Sequence, residues 1–297
     1  MTILPLLSPL LLLMQGAPAE PPAANPPANP PQAMTLADAR LSGCLAQARS
    51  DSAAAMAEAD QWRAEITSGS RALPLQCLGT AYANRSMWAE AEAAFAEAAA
   101  DLAARPAPDP RRLSALHAQA GNAALANGDA AGALARFNAG LGALAGTAVP
   151  GRVAAGLHVD RARALVALSR DDDAAQALIF AQEGNPQDAT AFLLGATLAR
   201  RTGRLADAAR AIAVADALSP GNPDIMLEGG LIAALAGDDM TAASAWRRIV
   251  ESTPGSETAA RAQFYLQQLD AMRADEPAAP ATQATSPQAP DSQEIGR

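Results

Sequence analysis

Four columns of residues recur every 34 positions in the second half of the chain, and this period restricts the chain to a repeat architecture. Pro186, Pro220 and Pro254 form one column. The other columns are Ala174, Ala208 and Ala242; Leu178, Ile212 and Trp246; and Ala181, Ala215 and Ile249. Because the columns agree with one another, chance is a poor explanation. A period of this length indicates supersecondary units that bury their apolar faces only by stacking on their neighbours.

The same pattern extends towards the N-terminus, where short insertions lengthen the period. Its fullest version lies in residues 72–105 and consists of Leu78-Gly79, Tyr82, Ala91 and Phe95. Insertions at 106–110 and 146–151 coincide with Pro and Gly, which are typical of loops. The later units span residues 114–147, 155–188, 189–222 and 223–256.

The pattern resembles the tetratricopeptide repeat, which is described by an aromatic residue, a Leu-Gly pair, a Tyr, an Ala, a Phe and a closing Pro. The resemblance implies an all-α fold, a tetratricopeptide-type α-solenoid of stacked antiparallel helix pairs. Gly and Ala are expected where the two helices of a pair approach most closely, with Phe or Leu opposite them. The closing Pro is expected to end each second helix, because it cannot donate the next backbone hydrogen bond. Asn222-Pro223 is expected to begin a new helix, with Asn222 as its N-cap.

The two ends of the repeat region are less regular. A degenerate first unit begins near residue 39, and its residue in the Ala91 column is Glu58, which does not suit a close-packed position. Ala57 and Ala59 flank Glu58, so a shift in register is expected there. A last helix of about 256–274 is expected to close the stack through Ala260, Phe264, Leu266 and Leu269.

Composition divides the chain into four predicted segments. Residues 1–19 combine a short apolar run with Ala17-Pro18-Ala19, a pattern that predicts a secretory signal peptide. Residues 20–33 are predicted to be a Pro-rich linker, 34–275 the helical repeat domain and 276–297 a disordered tail. The protein is therefore expected to be periplasmic or secreted.

Charge and residue types exclude several classes of function. The net charge is −9 and the isoelectric point about 4.8, which argues against nucleic-acid binding and polybasic membrane attachment. The apolar run is too short for stable membrane insertion. All 22 basic residues are Arg, so no lysine-dependent phosphate loop or Schiff base can form. No cofactor or catalytic motif is present, and we expect a protein that is not an enzyme and binds no cofactor.

Cys44 and Cys77 occupy corresponding places on neighbouring first helices. A lone pair of cysteines in an oxidising compartment usually forms a disulfide. Equivalent positions on stacked helices, however, lie roughly 8–10 Å apart, whereas a disulfide needs Cα atoms closer than about 7 Å. The degenerate register of the first unit could shorten this distance. The sequence leaves open both a disulfide and two separately buried thiols.

The only two histidines, His117 and His158, occupy the same place in two successive units. The family often has an aromatic residue there, so this repetition favours a packing role over a catalytic or metal-binding one.

The resemblance also implies a ligand-binding groove lined by the first helix of each pair. The matching positions include Gln76, Thr80, Asn122, Arg163, Thr197 and Arg200. We expect a non-enzymatic scaffold of the bacterial cell envelope that binds a protein or peptide, with an acidic peptide end as one candidate. Two alternatives remain: a cell-wall or glycan hydrolase that uses His117 or His158, and a structural protein that self-assembles through the ends of its stack.

Overall fold

The computed structural model describes residues 35–275, with side chains described up to residue 272. Within this range the chain forms 13 α-helices and no β-strand. The helices are α1 (Leu36–Ser50), α2 (Ser52–Glu65), α3 (Ala72–Asn84), α4 (Trp88–Ala103), α5 (Pro110–Ala126), α6 (Ala130–Leu144), α7 (Gly151–Ala167), α8 (Asp171–Gly184), α9 (Ala189–Arg201), α10 (Leu205–Leu218), α11 (Pro223–Leu235), α12 (Asp239–Ser252) and α13 (Glu257–Asp275). The predicted signal peptide 1–19, linker 20–33 and tail 276–297 lie outside the described residues.

Consecutive helices pack against each other throughout this range, in chain order. The odd-numbered helices from α1 to α11 are the first helices of six pairs, and the even-numbered helices are the second helices. Short connections join the two helices of a pair, and each second helix packs on the first helix of the next pair. The fold is therefore a tetratricopeptide-type solenoid of stacked helix pairs, as the period predicts.

In five of the six pairs, one small residue of the first helix packs against one larger side chain of the second helix. Gly faces an aromatic ring in three pairs: Gly79 and Phe95, Gly121 and Phe137, and Gly230 and Trp246. Ala packs with a smaller aliphatic side chain in two others: Ala162 and Leu178, and Ala196 and Ile212. A Cβ atom added at Gly79 would lie 2.7 Å from the Phe95 ring, so the ring requires glycine opposite it.

The first pair, α1 and α2, has the expected shift in register. Ala59 is 1 % exposed and packs with Trp62 in the core. Glu58, one residue earlier, is displaced from the core, and its carboxylate accepts a hydrogen bond from Arg40 Nε at 2.8 Å. The guanidinium of Arg40 also lies over the Trp62 ring, 4.8 Å from its centroid. Ala59 thus takes the close-packed position in the core, and the neighbouring Glu58 places its carboxylate outside the core.

The helix ends follow the expected residue chemistry. Pro186, Pro220 and Pro254 each lie two residues beyond the end of a second helix. Asn222 caps α11, since its side chain accepts a hydrogen bond from the Asp224 backbone N–H at 3.0 Å. These expectations are confirmed.

The last helix, α13, closes the described stack, but not with the face that was expected. Leu269 is buried, and Leu266 packs against the same cluster. Phe264, by contrast, is 53 % exposed, and Ala260 is exposed as well. The prediction for these two residues is wrong, because the inward face of α13 follows Ala259 and Ala262 instead.

Candidate binding groove on the first helices

We call the surface formed by α3, α5, α7, α9 and α11 the first-helix groove. The six polar residues that were predicted to bind a ligand lie on four of these helices. They are Gln76 and Thr80 on α3, Asn122 on α5, Arg163 on α7, and Thr197 and Arg200 on α9. The α-helical spacing of four residues places Gln76 and Thr80 on one side of α3.

One cavity of about 260 Å³ lies between α3 and α5. Thr80 and Asn122 line it, together with Gln119 and the Trp88 ring. The structure thus brings Thr80 and Asn122 together in one cavity. Trp88 was missed because the prediction considered first helices only, whereas Trp88 is the first residue of a second helix, α4.

A second cavity, of about 180 Å³, lies between α7 and α9. Arg163, Thr197 and Arg201 line it, and its apolar walls include Val166 and Leu194. Arg163 and Thr197 are therefore neighbours, but they do not share a cavity with Thr80 and Asn122. The groove offers two separate small cavities with different chemistry.

Hydrogen bonds hold the polar residues on α3 in place. Gln76 Nε2 donates to Gln119 Oε1 on α5 at 3.1 Å. Thr80 Oγ1 donates to the backbone carbonyl of Gln76 at 2.9 Å. Gln76 therefore links two first helices, and the Thr80 hydroxyl already has an acceptor.

Asp160 connects the predicted residues on α5 and α7. Its carboxylate accepts a hydrogen bond from Asn122 Nδ2 at 3.4 Å and forms an ion pair with Arg163 at 2.6 Å. Burial raises the pKa of Asp160 above its ordinary value, while the Arg163 charge and the hydrogen bonds from Asn122 and Arg163 act in the opposite direction. The Arg163 side chain remains 46 % exposed, so it is still accessible to a ligand.

Arg200 has a structural partner on the neighbouring first helix. Its guanidinium donates to both carboxylate oxygens of Glu228 on α11, with Nε to Oε1 at 2.6 Å and Nη2 to Oε2 at 3.2 Å. Glu228 is only 7 % exposed. A bidentate pair of this kind compensates a buried carboxylate, and it leaves Arg200 less available to a ligand than Arg201.

Arg201 is a cation of the groove without an ion-pair partner among the described residues. It is exposed at the end of α9 and lines the cavity between α7 and α9. Its side chain makes no hydrogen bond or ion pair with any residue of the range 35–275. In the sequence, Arg201 is visible only as a neighbour of Arg200. Helical periodicity does not indicate which of the two arginines forms an ion pair and which remains unpaired.

Away from the groove, Cys44 and Cys77 form a disulfide between α1 and α3, with Cα atoms 6.0 Å apart. The helices approach this closely because the small residues Ala48 and Ala81 are buried between them. Asn84 Nδ2 on α3 also donates to the Ala48 carbonyl at 2.9 Å. Of the two alternatives that the sequence left open, this geometry fits the disulfide.

The two histidines are half-buried between helices. Burial lowers the pKa of both imidazoles, and Arg136 near His117 and Arg161 near His158 lower it further. The His158 ring lies 5.2 Å from the Phe180 ring, and neither Nδ1 has a hydrogen-bond partner in the described part of the chain. Contact with an aromatic ring at His158 is compatible with the packing role expected from the sequence.

No helix within residues 35–275 is both long and apolar enough to cross a membrane. In the same range, no three His, Cys, Asp or Glu side chains are grouped so that they could hold a metal ion.

Solved structures share this fold at low sequence identity. PilW, described as a widely conserved type IV pilus biogenesis factor, superposes with a TM-score of 0.63 at 16% identity, over 77% of this chain and 99% of PilW. Pseudomonas aeruginosa PilF gives 0.60 at 17% identity, over 77% of this chain and 97% of its own. BtubC from P. vanneervenii gives 0.53 at 14% identity, over 89% and 99%. No protein-family model and no curated protein matches the sequence. The comparisons therefore show the fold alone.

Proposed function

We propose that the protein is a non-enzymatic scaffold of the bacterial cell envelope that binds a protein or peptide segment in its first-helix groove. The observation that carries this proposal is the cavity between α7 and α9. There the exposed Arg201 has no carboxylate partner among the described residues, and the walls beside it are apolar. An unpaired guanidinium next to an apolar cavity suits a segment that carries a carboxylate beside an apolar side chain.

The other cavity would bind a different part of the same segment. Trp88 offers an aromatic face there, and Gln119 and Asn122 offer side-chain amides. An extended segment along the groove would thus meet neutral polar groups at α3 and α5 and positive charge at α7 and α9. This order of chemistry would fix the direction of binding.

The proposal is tested by affinity capture from the native envelope, followed by quantitative mass spectrometry. We expect Arg201→Glu to lose the specific partner, because it places a like charge opposite the bound carboxylate. Arg248→Glu is the matched control, since Arg248 is an exposed arginine on the second helix α12 and makes no ion pair among the described residues. Unchanged capture by Arg201→Glu, or equal loss with Arg248→Glu, contradicts the groove assignment.

Location in the periplasm or outside the cell is part of the proposal and is supported by the sequence of residues 1–19. If the segment is a signal peptide, protein recovered from the periplasmic or secreted fraction should begin at Glu20. N-terminal sequencing checks this. Protein found only in the cytoplasmic fraction with Met1 intact would contradict it.

A further inference from the structure

A further cavity has walls formed by second helices rather than by first helices. It has a volume of about 420 Å³, between α8 and α10, with α9 as its floor. We call it the second-helix trough. Each wall contributes residues spaced i, i+4 and i+7: Ala175, Ile179 and Gln182 from α8, and Asp207, Ala211 and Val214 from α10. The trough is therefore about two helical turns long, or roughly 10 Å.

In the floor of the trough, α9 carries Gly195. Gly195 occupies the column in which Leu78 fills the core of an earlier pair. A Cβ atom added at Gly195 would lie 2.9 Å from Nε2 of Gln182. This Nε2 donates a hydrogen bond to the Ala191 carbonyl at 3.2 Å. One pair later, Gly229 in the same column lies against Ile212. Gly195 is covered instead by the amide at the far end of the Gln182 side chain, which an added side chain would have to displace.

Each wall of the trough carries one exposed apolar side chain. Ile179 on α8 is 46 % exposed, and Val214 on α10 is 40 % exposed. Single exposed apolar residues are common on protein surfaces. Here, however, the two walls of one cavity each have such a residue, so a partner in the cavity would make apolar contacts on both sides. A ligand in the trough would remove both side chains from water.

The rim of the trough carries an excess positive charge. Arg210 is paired with Asp207. Arg204, just before the start of α10, donates to Thr202 Oγ1 at 3.1 Å but makes no ion pair in residues 35–275. The net charge of the chain is −9, which disfavours a second copy of the chain as the partner. The unpaired Arg204 favours a partner that has a carboxylate at this end of the trough.

We propose that the second-helix trough binds one amphipathic α-helix of a partner protein. The helix presents apolar side chains at i, i+4 and i+7 to the trough and an Asp or Glu to Arg204. A helix fits because two parallel walls with this spacing interdigitate with the same spacing on a third helix. Strand addition is not available at this place, because α8, α9 and α10 present no open backbone edge. Leu178 and Leu198 line both this trough and the cavity between α7 and α9, but the ligand contacts proposed for the two sites are different, so either assignment can fail without the other.

The experiment is a selection of displayed helical peptides with randomised positions, using the full protein as bait. We expect the enriched peptides to share apolar residues at i, i+4 and i+7 and one acidic residue. Gly195→Leu, which fills the trough, should reduce their binding at least about tenfold. Gly156→Leu is the matched control, since Gly156 lies on the first helix α7 with no atom within 4 Å of an added Cβ.

Two further variants keep the test decisive if Gly195→Leu disturbs folding, which thermal unfolding would show. Val214→Asp should lose the same peptides, while Leu235→Asp, at an exposed apolar residue outside the trough, should retain them. Arg204→Glu should shift the enriched residue from Asp or Glu to Arg. The proposal is overturned if the enriched peptides lack the apolar spacing, or if they still bind both Gly195→Leu and Val214→Asp. Self-association that Val214→Asp abolishes in sedimentation would overturn it in favour of a second copy.

Discussion

At the scale of single residues, the side chain on each first helix is matched in size to the one that it meets on the second helix. Gly121 lies against Phe137, which is fully buried, whereas Ala162 packs with the smaller Leu178. Close-packed interiors tolerate neither overlap nor voids. The two residues of such a contact should therefore be coupled energetically.

We predict that Gly121→Ala destabilises the protein by about 1–3 kcal/mol, because its methyl group would overlap the Phe137 ring. Adding Phe137→Leu should recover part of this loss, since it recreates the Ala–Leu contact of a later pair. Urea unfolding of the wild type, both single variants and the double variant measures the coupling. Additive effects, or a Gly121→Ala variant as stable as the wild type, would show that the contact is not tight.

The period predicts this contact, but it does not predict which polar side chains pair. Gln76 bonds with a residue 43 positions away, and Asn122 bonds with one 38 positions away. Repeat columns fix where a residue lies on its helix, whereas hydrogen bonding depends on the rotamers of two helices together. The groove positions follow from the sequence, and their partners do not. Ligand binding at these positions stays a prediction.

At the scale of helices, one buried ion pair connects α9 to α11. The side chains of Arg200 and Glu228 are 21% and 9% exposed. Removing one member of such a pair leaves the other charge buried and unpaired, which costs more than the pair itself contributes. Adjacent arginines on α9 should therefore differ sharply in their effect on stability.

We predict that Arg200→Ala lowers the free energy of unfolding by about 2–4 kcal/mol, since it leaves Glu228 without its partner. Arg201→Ala should change it by less than about 0.5 kcal/mol, as is usual for an exposed side chain. Glu228→Gln in the Arg200→Ala background should restore part of the loss. Chemical denaturation of the four proteins gives these values; equal effects of the two alanine variants would refute the assignment of Arg200.

A covalent link ties the irregular first pair to the rest. The disulfide joins α1 to α3, and the cysteines are 33 residues apart in the sequence. Regular stacking predicts a longer distance between equivalent positions, so the sequence could not decide between a bond and two thiols. The structure brings them closer because alanines line the contact between α1 and α3.

We predict that the Cys44→Ser, Cys77→Ser double variant destabilises the first pair by about 3–4 kcal/mol, by the chain-entropy account of loop closure. Hydrogen exchange should rise in α1 and α2 and stay unchanged from α5 onwards. Ala48→Ser, which alters a neighbouring buried position but keeps the disulfide, serves as the control for local packing. Uniform exchange along the chain would show that the link acts globally.

At the scale of the whole molecule, every helix depends chiefly on its immediate neighbours. The described helices contact others close in the chain, and no single centre holds them all. Stability in such a stack is approximately a sum of terms from neighbouring units. The sequence period predicts this architecture well. It misplaces the inward face of α13, because α13 does not carry the residues of the 34-residue columns.

We predict that Leu269→Asp, at a buried position of α13, raises hydrogen exchange in α11, α12 and α13 only. The substitution buries a charge at one end of the described stack. Because each unit contacts only its neighbours, the loss of stability should decrease with distance from α13. Gln268→Asp, at the exposed residue before it, should leave the exchange pattern unchanged. Faster exchange in α3 to α7 would show that the molecule unfolds as one unit.

The position of Trp88 also gives the protein a built-in optical reporter. The chain has three indoles, of which Trp62 and Trp246 are buried in the first and last pairs. Only Trp88 lines a cavity of the groove. In a variant with Trp62 and Trp246 replaced by Phe, a shift in the emission wavelength of Trp88 would report ligand binding in this cavity directly, without any attached dye.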